Sequence, residues 1–232
     1  KEYILKKDPF KLFLKARQIA QPPFGYYLNT KDMQIISLSP ELFFSLNDGI
    51  IQTKPMKGTR PNNGEPNNKI EIENLRNSIK DQSEHIMIVD LLRNDLGKIC
   101  NYNSIKVKKL FEIKTYKSVH QMISTIYGQT KNGLKEIDII KALFPCGSVT
   151  GAPKEKSMEI IDQIENYSRG IYTGSIGYIK KNGDMNFNVA IRTLSIRNNL
   201  AIYPVGGGIV WDSKYIEEWN EAQQKSILLK NL

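Results

Sequence analysis

The 232-residue chain has little of several residue types that carry well-known chemistry. It contains two cysteines, Cys100 and Cys146, two histidines and two tryptophans. The cysteines lie far apart and form no CxxC or Cys/His metal pattern, which excludes a secreted disulfide scaffold and favours two buried thiols in a reducing compartment. The longest aliphatic runs, such as Ile86–Val89, are too short for a membrane-spanning helix, which needs about 20 apolar residues. The first residue is Lys1 rather than Met, and no apolar signal segment follows it, so we expect a mature or trimmed chain whose natural start is missing. The reduced cysteines favour a cytoplasmic location.

The chain has a formal net charge of +9, but its basic residues are not typical of a nucleic-acid binder. The 33 basic residues are 26 lysines and 7 arginines, and the lysines are spread along the whole sequence. Proteins that read bases and phosphates rely on arginine and on clustered patches. The densest cluster, Lys106–Lys109, is typical of a solvated strand edge. A basic nucleic-acid-binding module stays the alternative from another class, and an anionic small substrate fits the charge equally well.

Hydrophobic periodicity predicts an α+β fold without internal repeats or an obvious linker. Strands follow strands rather than alternating with helices, which favours largely antiparallel β-sheets. We expect a single domain over residues 1–232. The predicted helices are 9–20, 69–96 with Gly97 as its C-cap, 135–143, 153–166 with Pro153 in its first turn, and 216–228. The predicted strands are 25–28, 34–38, 42–46, 49–53, 104–113, 119–127, 171–180, 185–197 and 200–205, and 61–68 is a predicted loop.

Two pairs of acidic residues recur at helical spacing. Asp81 and Glu84 lie three residues apart in the long predicted helix, and Glu218 and Glu221 repeat that spacing in the last one. Brought together, the two pairs would form an all-oxygen cage that suits a hard cation such as Mg²⁺. Acids at this spacing are more often solvated, so both interpretations stay open. His85 is not needed for such a site, and we expect it to pack or to cap.

Two glycine-rich segments are candidate anion sites. Gly147–Lys154 leads into a predicted helix N-terminus, whose free N–H groups attract negative charge, although the segment does not match the P-loop pattern. Gly206–Gly208 ends a predicted strand and could form an anion nest or let a substrate approach the backbone. A tight turn is the more common interpretation of each segment.

Arg192 and Lys57 are the candidate cationic groups. Arg192 lies in the apolar predicted strand 185–197, where it suits a bidentate carboxylate clamp, with an arginine that reaches solvent at a sheet edge as the alternative. Lys57 lies in Pro55–Arg60, next to a glycine that leaves space for a ligand. A nucleophilic lysine must be neutral, so burial or neighbouring cations would have to lower its pKa. The residues alone do not separate these alternatives.

Several segments, in the same order along the chain, resemble the chorismate-utilising enzymes. This family includes anthranilate synthase component I, aminodeoxychorismate synthase component I, and the isochorismate and salicylate synthases. The resemblance runs from about residue 20 to the end of the chain and is far more specific than any single motif. The matching segments are Ser39–Leu42, Pro55–Thr59, Glu84–Met87, Asp90–Leu96, Phe144–Lys154, Tyr172–Tyr178, Ala190–Thr193 and Gly206–Val210.

The resemblance implies a fold like that of anthranilate synthase component I, with large, mostly antiparallel β-sheets packed as a sandwich and helices on the outside. It also implies a Mg²⁺-dependent site for chorismate. Glu84 and Glu221 match the family's metal ligands, and Asp81 and Glu218 match the acids in the next layer of residues around the metal. Most relatives have Glu at the position of Asp81, so this contact would be weaker or mediated by water. The implied substrate-binding residues are Arg192, Tyr172 and the amides of Gly206 and Gly208 for the carboxylates, and Ser148 and His120 for the ring. His120 could also be a satisfied strand histidine.

Lys57 separates the members of this family. Anthranilate and isochorismate-type relatives carry Ala at its position, whereas aminodeoxychorismate synthases usually carry Lys. By this resemblance Lys57 attacks C2 of chorismate as the C4 hydroxyl leaves, and Glu41 protonates that hydroxyl. Ammonia then attacks C4 and expels the lysine, which gives 4-amino-4-deoxychorismate for p-aminobenzoate and folate synthesis. Anthranilate synthesis is the alternative within the family.

The resemblance also implies what the chain needs from elsewhere. The family's catalytic subunits are longer, so we expect residues 1–232 to be one chorismate-binding catalytic domain without its N-terminal portion. No Cys lies in a nucleophile-elbow context with a partnering His. Ammonia is therefore expected from solution or from a separate glutamine amidotransferase subunit. Neither nucleic acid nor a membrane is an expected partner.

Overall fold

The computed structural model describes residues 1–5, 7–117 and 119–226. The helices in these ranges are α1 (Pro9–Ala20), α2 (Asn67–Asn77), α3 (Ile79–Ile99), α4 (Glu136–Leu143), α5 (Lys154–Ile164) and α6 (Tyr215–Lys225). The strands are β1 (Glu2–Ile4), β2 (Phe24–Asn29), β3 (Gln34–Ser39), β4 (Leu42–Asn47), β5 (Ile50–Lys54), β6 (Met56–Pro61), β7 (Lys106–Thr115), β8 (Val119–Gln129), β9 (Ser175–Ile179), β10 (Met185–Val189), β11 (Thr193–Arg197) and β12 (Leu200–Ile202). A 3₁₀ turn spans Gly147–Val149.

The contacts divide the chain into two compact units. Unit 1 comprises the described parts of Lys1–Glu41, Tyr167–Gly177 and Asn188–Leu232, and unit 2 comprises Leu42–Asn166 and Tyr178–Phe187. The boundary falls inside β9 and β10. The expectation of a single domain stays a prediction.

Unit 1 is organised around a sheet with the strand order β1-β12-β11-β3-β2. Each neighbouring pair in this order is antiparallel. Helix α1 begins at Pro9, where the side chain of Asp8 accepts a hydrogen bond from the backbone amide of Lys11. Its buried face packs with the sheet into one apolar core, made of Leu12, Phe13, Ala16, Ile36, Leu38, Leu194, Ile196, Ala201 and Tyr203.

Unit 2 carries a second sheet, in which β8 is the most heavily paired strand. Strand β8 is antiparallel to β5, β6 and β7, and Met122 and Ile126 on it are fully buried. Helix α3 packs on β6, on β8 and on α4. Its buried apolar residues are Ile88, Val89, Leu92, Leu96 and Ile99. This packing places the start of α3, with the acids Asp81 and Glu84, beside β6.

Strand β7 is the lysine-rich edge expected from the sequence. Within the described ranges it pairs with β8 alone, and its register shifts between Val107 and Lys109 and again between Lys109 and Glu112. Lys106, Lys108 and Lys109 are exposed. Phe111 has a φ of +59° at the second shift, so the strand is bulged rather than flat.

The single helix predicted over 69–96 is wrong, because α2 and α3 are separate helices that meet at Ser78. The Ser78 side chain accepts a hydrogen bond from the amide of Asp81 at 3.3 Å and caps α3. The apolar periodicity continues through this break and therefore hides it. Gly97 is not a C-cap either. It lies inside α3, which ends at Ile99 and is capped by Cys100, whose amide donates to the carbonyl of Leu96.

The continuous strand predicted over 185–197 is also wrong, because residues 190–192 separate two strands, β10 and β11. Arg192 has a φ of +53°, in the left-handed region, and the Ile191 amide bonds back to the Val189 carbonyl at 2.8 Å. Arg192 is therefore in a bend, and the predicted alternation of faces around it does not hold.

Smaller differences concern the ends of elements. The predicted strand 171–180 begins only at Ser175, because Thr173 has a φ of +64° in a turn. The strand predicted over 200–205 ends at Ile202, and Pro153 is the N-cap of α5 rather than a residue of its first turn. Strands β1 and β6 are not predicted, and the start of α2 shortens the loop expected at 61–68. The predicted end of the last helix, Leu228, lies outside the described residues.

The α+β class with antiparallel sheets is confirmed. Cys100 and Cys146 are free and buried, as expected. Among the described helices, none combines the length and apolar character needed to cross a membrane.

Candidate functional site

Strand β6 holds Lys57 beside the start of α3. Lys57 pairs with Met122 on β8, and the register then shifts so that Thr59 pairs with Gln121. Gly58, at this bulge, has a φ of +76°, and a Cβ there would lie 2.8 Å from Leu75 Cδ1 and 3.1 Å from the side chain of Asp81. Only glycine fits both the backbone conformation and the space. Lys57 is half-buried and makes no hydrogen bond or ion pair with the described residues.

His85 is buried under this segment, as the expected packing role requires. Its Nε2 lies 2.7 Å from Ser124 Oγ, and its ring meets that of Phe111 edge-on at 5.7 Å. Within the part of the chain that the structure describes, Nδ1 has no partner. Burial, and secondarily the charge of Lys57, lower the pKa of His85 to about 4. The imidazole is therefore neutral at pH 7, and Lys57 lies close enough for its charge to disfavour protonation of the ring.

The two acids of α3 differ in their surroundings. Asp81 accepts a hydrogen bond from Arg60 at 2.8 Å, in an ion pair whose two side chains are 17% and 30% exposed. Glu84, one turn further along, is half-buried and has no hydrogen bond or ion pair with the described residues. Arg60 therefore neutralises Asp81, whereas Glu84 offers its carboxylate oxygens.

His120 is a fully buried residue of β8 with both ring nitrogens engaged. Nδ1 lies 2.9 Å from Thr115 Oγ1 and Nε2 lies 3.1 Å from Asn68 Oδ1. The Asn68 oxygen can only accept, so the assigned network puts the proton on Nε2 and makes Nδ1 the acceptor of the Thr115 hydroxyl. This arrangement agrees with the satisfied-histidine alternative. A role of His120 in lining a ring stays a prediction.

Ser148 lies in the 3₁₀ turn that precedes α5. It is half-buried, and its Oγ is 3.2 Å from Cys146 Sγ. The amides of Val149 and Thr150 are used inside the turn, on the carbonyls of Cys146 and Gly147. Helix α5 has no side-chain cap, so its first amides are open to an anion.

In unit 1, the Gly206–Gly208 segment lies against the acids of α6. A Cβ on Gly207 would be 3.1 Å from Glu218 Oε2 and 3.8 Å from Glu221 Oε1. A Cβ on Gly206 would be 2.8 Å from the hydroxyl of Tyr172. The absence of side chains on these two glycines therefore lets the backbone approach the acids and the phenol. Gly208 is exposed.

Both acids of α6 have partners within unit 1. Ser213 donates a hydrogen bond to Glu218 Oε1 at 2.6 Å, and Lys225 forms an ion pair with Glu221. The Lys225 ammonium also donates to the carbonyl of Gly206 at 2.9 Å. Lys225 thus links the last helix to the glycine segment.

Arg192 reaches the same helix through its side chain. Its Nη1 donates to the carbonyl of Lys225 at 2.8 Å. The bend at Arg192, rather than a strand, directs the guanidinium, so the sheet-edge alternative does not describe it. The predicted group Arg192, Tyr172 and Gly206 is therefore assembled with Glu221 through Lys225.

Glu41 is buried immediately after β3. The Ser39 hydroxyl accepts from its amide at 3.2 Å, and the Val189 amide donates to its carbonyl at 3.0 Å. Glu41 is 5% exposed. Its backbone is thus fixed on both sides, and its side chain is removed from bulk water.

The four predicted metal ligands are present as two pairs, one in each unit. Over the described residues, no group of three or more His, Cys, Asp or Glu side chains is gathered closely enough to hold a metal ion. The donor chemistry fits Mg²⁺, since every candidate is a carboxylate and that of Glu84 is unpaired within the described ranges. The magnesium site stays a prediction.

Comparison with known proteins identifies the family. The model of the chorismate binding enzyme family matches residues 2–231, so the chain belongs to this family. It is 38% identical over 229 residues to anthranilate synthase component 1 of Saccharolobus solfataricus (98% of this chain, 54% of the relative). It is 41% identical over 227 residues to aminodeoxychorismate synthase component 1 of Escherichia coli (97% and 50%).

A solved structure has the same fold as this chain. The crystal structure of anthranilate synthase component I from Streptococcus pneumoniae superimposes with a TM-score of 0.90 at 34% identity, covering 98% of this chain and 51% of that one. The chain therefore spans about half the length of each of these three proteins.

Sequence reasoning missed the groups that neutralise the acids. Lys225 follows Glu221 by four residues, and this spacing on a helix was a readable signal. Arg60 and Asp81 are separated by 21 positions, and nothing in the local pattern predicts their contact.

Proposed function

We propose that the chain catalyses the amination of chorismate at C4, the reaction named for its aminodeoxychorismate synthase relatives. The observation that carries the proposal is Lys57. It is a half-buried lysine on a bulged strand, without a hydrogen bond or ion pair in the described part of the chain, in a segment that resembles that subfamily. A lysine side chain that is not held by another residue can reach a substrate carbon, as a covalent mechanism needs.

Several of the other predicted site residues have roles in the proposed reaction. Lys57 attacks C2 while Glu41 donates a proton to the departing C4 hydroxyl, and ammonia then attacks C4 and displaces the lysine. Arg192 and Tyr172 bind carboxylate oxygens through their side chains. Ser148 is proposed to contact the ring. Two successive displacements bring nitrogen to C4 without direct displacement of the hydroxyl.

The metal and the nitrogen donor are also proposals. Glu84 and Glu221 would hold Mg²⁺, with Asp81 and Glu218 as supporting acids. The ion would supply positive charge that stabilises the carboxylates and the departing oxygen. The names of both relatives contain "component 1", which supports a separate glutamine amidotransferase subunit as the source of ammonia.

Anthranilate synthesis is the second candidate, because an anthranilate synthase relative and an anthranilate synthase structure are both similar to this chain. The two candidates differ in the carbon that receives nitrogen. Lys57 favours C4, since the anthranilate-type relatives have Ala at this position by the resemblance described above.

Product analysis distinguishes these candidates. The chain is incubated with chorismate, Mg²⁺ and ammonium salt at alkaline pH, and products are separated by chromatography with mass detection. We expect 4-amino-4-deoxychorismate from the unmodified chain and none from Lys57→Ala. Without ammonium, intact-mass measurement should show a chorismate-derived adduct, formed with loss of water, on the unmodified chain only.

Lys54→Ala is the matched control. Lys54 is three positions away, and burial, followed by the charge of Lys114, lowers its pKa, so it is the chemically plausible rival amine. We expect it to keep activity and adduct. Loss of the adduct in Lys54→Ala but not in Lys57→Ala would mean that the nucleophile is Lys54 on β5, and would contradict the assignment to Lys57 on β6. Anthranilate as the product would contradict amination at C4.

A further inference from the structure

Both ends of the Gly147–Lys154 segment rest on one face of α3. A Cβ on Gly147 would lie 2.6 Å from Leu91 Cδ2, so the backbone touches the helix there. At the other end, Lys154 Nζ lies 2.5 Å from Asp95 Oδ2. Leu91 and Asp95 are four residues apart and therefore share a face. Helix α3 thus sets the distance between the two ends of the segment.

The ion pair between Asp95 and Lys154 is buried, and each of its two side chains makes a further polar contact. The two side chains are 1% and 13% exposed. The Lys154 ammonium also donates to the carbonyl of Leu143 at 3.0 Å, at the end of α4. The second oxygen of Asp95 accepts from Lys98 at 2.9 Å. One ammonium therefore joins α3, α4 and the first turn of α5.

The segment between these ends is closely held by its own contacts. Thr150 Oγ1 donates to the carbonyl of Cys146 at 3.1 Å. Gly151 has a φ of +144°, and a Cβ there would lie 2.6 Å from Ser157 Oγ. The backbone has little room to adjust, so a shift of either end would move Ser148 and the open amides at the start of α5.

Stability alone is a weak reason for this ion pair. Removing two charges from water is costly, and an apolar pair of similar size is often at least as stable. A charged pair does differ from an apolar one in geometry, because a carboxylate selects one ammonium position and orientation. The expected effect of the Asp95–Lys154 ion pair is therefore on the position of the segment rather than on stability.

We propose that Asp95 and Lys154 are positioning residues, whose ion pair holds Gly147–Pro153 in the form that binds chorismate. The proposal rests on the proposed function, in which Ser148 contacts the substrate. Neither residue touches the reacting atoms. Their effect is expected on substrate binding, through the position of Ser148 and of the first amides of α5.

The test compares four variants of the chain by amide hydrogen exchange and by steady-state kinetics with ammonium as nitrogen donor. Lys154→Met removes the ammonium at similar size, and Lys154→Arg retains a cation. Lys156→Met is the matched control, because Lys156 is in the same turn of α5 and its side chain is 64% exposed. The double variant Asp95→Leu/Lys154→Met replaces the ion pair by an apolar pair.

In Lys154→Met we expect about tenfold faster exchange at the amides of residues 148–152 and an about tenfold higher KM for chorismate, with kcat within about twofold of the unmodified value. Exchange in β8 should not change. Lys154→Arg should restore most of the KM, and Lys156→Met should resemble the unmodified chain. The double variant should recover the midpoint of urea unfolding but keep the raised KM.

Equal exchange and equal KM in Lys154→Met and Lys156→Met would overturn the proposal. It would also be overturned if the double variant recovered KM together with its unfolding midpoint, because the pair would then act through stability alone. Failure of the proposed function has a different signature, namely no product from the unmodified chain. Chorismate binding by calorimetry then replaces KM, and absence of binding by the unmodified chain overturns both proposals.

Discussion

Substitution of Gly58 by alanine tests how β6 is fitted against the helices of unit 2. Two costs are expected. The φ of +76° lies in the left-handed region, which costs an L-residue about 1–2 kcal/mol. The new Cβ would also lie 2.8 Å from Leu75 Cδ1 and 3.1 Å from Asp81 Cβ. Leu75 is fully buried, so it cannot move freely, and overpacking of this kind costs about 1–3 kcal/mol. Gly58→Ala should therefore lose about 2–5 kcal/mol of unfolding free energy.

Gly64→Ala separates the two costs. Gly64 has a φ of +82°, but no heavy atom lies within 4 Å of the position of its Cβ. It should lose only the conformational part, about 1–2 kcal/mol, and the effect of alanine on the unfolded chain is common to both variants. The assay is urea unfolding followed by far-UV circular dichroism. Equal losses in the two variants would refute the packing argument, and a Gly58→Ala chain as stable as the unmodified one would refute both parts.

Three further predictions concern stability and thiol chemistry. Since the pKa of His85 is lowered to about 4 and is near 6.5 in the unfolded chain, the unfolded state binds the proton first. Stability should fall as pH drops from about 6.5 to 4, by about 3 kcal/mol from this group; an identical fall in His85→Gln in urea titrations would contradict this. Gly97→Ala, inside α3 with no atom within 4 Å of its Cβ, should raise stability by about 0.5–1 kcal/mol, and an unchanged or lower melting temperature would argue against it. Cys100 and Cys146 should react with a thiol reagent only after unfolding, because both are buried and burial raises the pKa of Cys100 to about 11. Rapid labelling of the native chain would be the opposite result.

Elements whose end signals and apolar pattern agree could be predicted from the sequence. Helix α1 has the predicted bounds, because the capping side chain of Asp8 and the apolar face both mark the same start. Where the two signals conflict, the prediction failed. The apolar pattern runs through Ser78, but the serine hydroxyl caps a new helix there. Arg192 is predicted in a strand because the residues around it are apolar, and nothing in the local sequence indicates its positive φ.

The candidate site also has a part that could be predicted from the sequence and a part that could not. Spacing found the acid pairs Asp81/Glu84 and Glu218/Glu221, and α3 and α6 carry them as helical neighbours. The contact between Arg60 and Asp81 depends on how β6 lies against α3, which is a tertiary property. Long-range contacts of this kind are not encoded in any short window of sequence, so the neutralisation of Asp81 could not be foreseen.

The bulged, lysine-rich strand β7 bears on how the chain behaves at high concentration. An edge strand with unused N–H and C=O groups is a template for another chain. The two register shifts bend β7, and the exposed Lys106 and Lys108 would bring like charges together if two such edges met. Lys109 is paired with Glu112 on the same strand. Self-association along this edge is thus opposed by shape and by repulsion at once. Acetylation of the lysines would remove the repulsion and leave the bulges to oppose pairing.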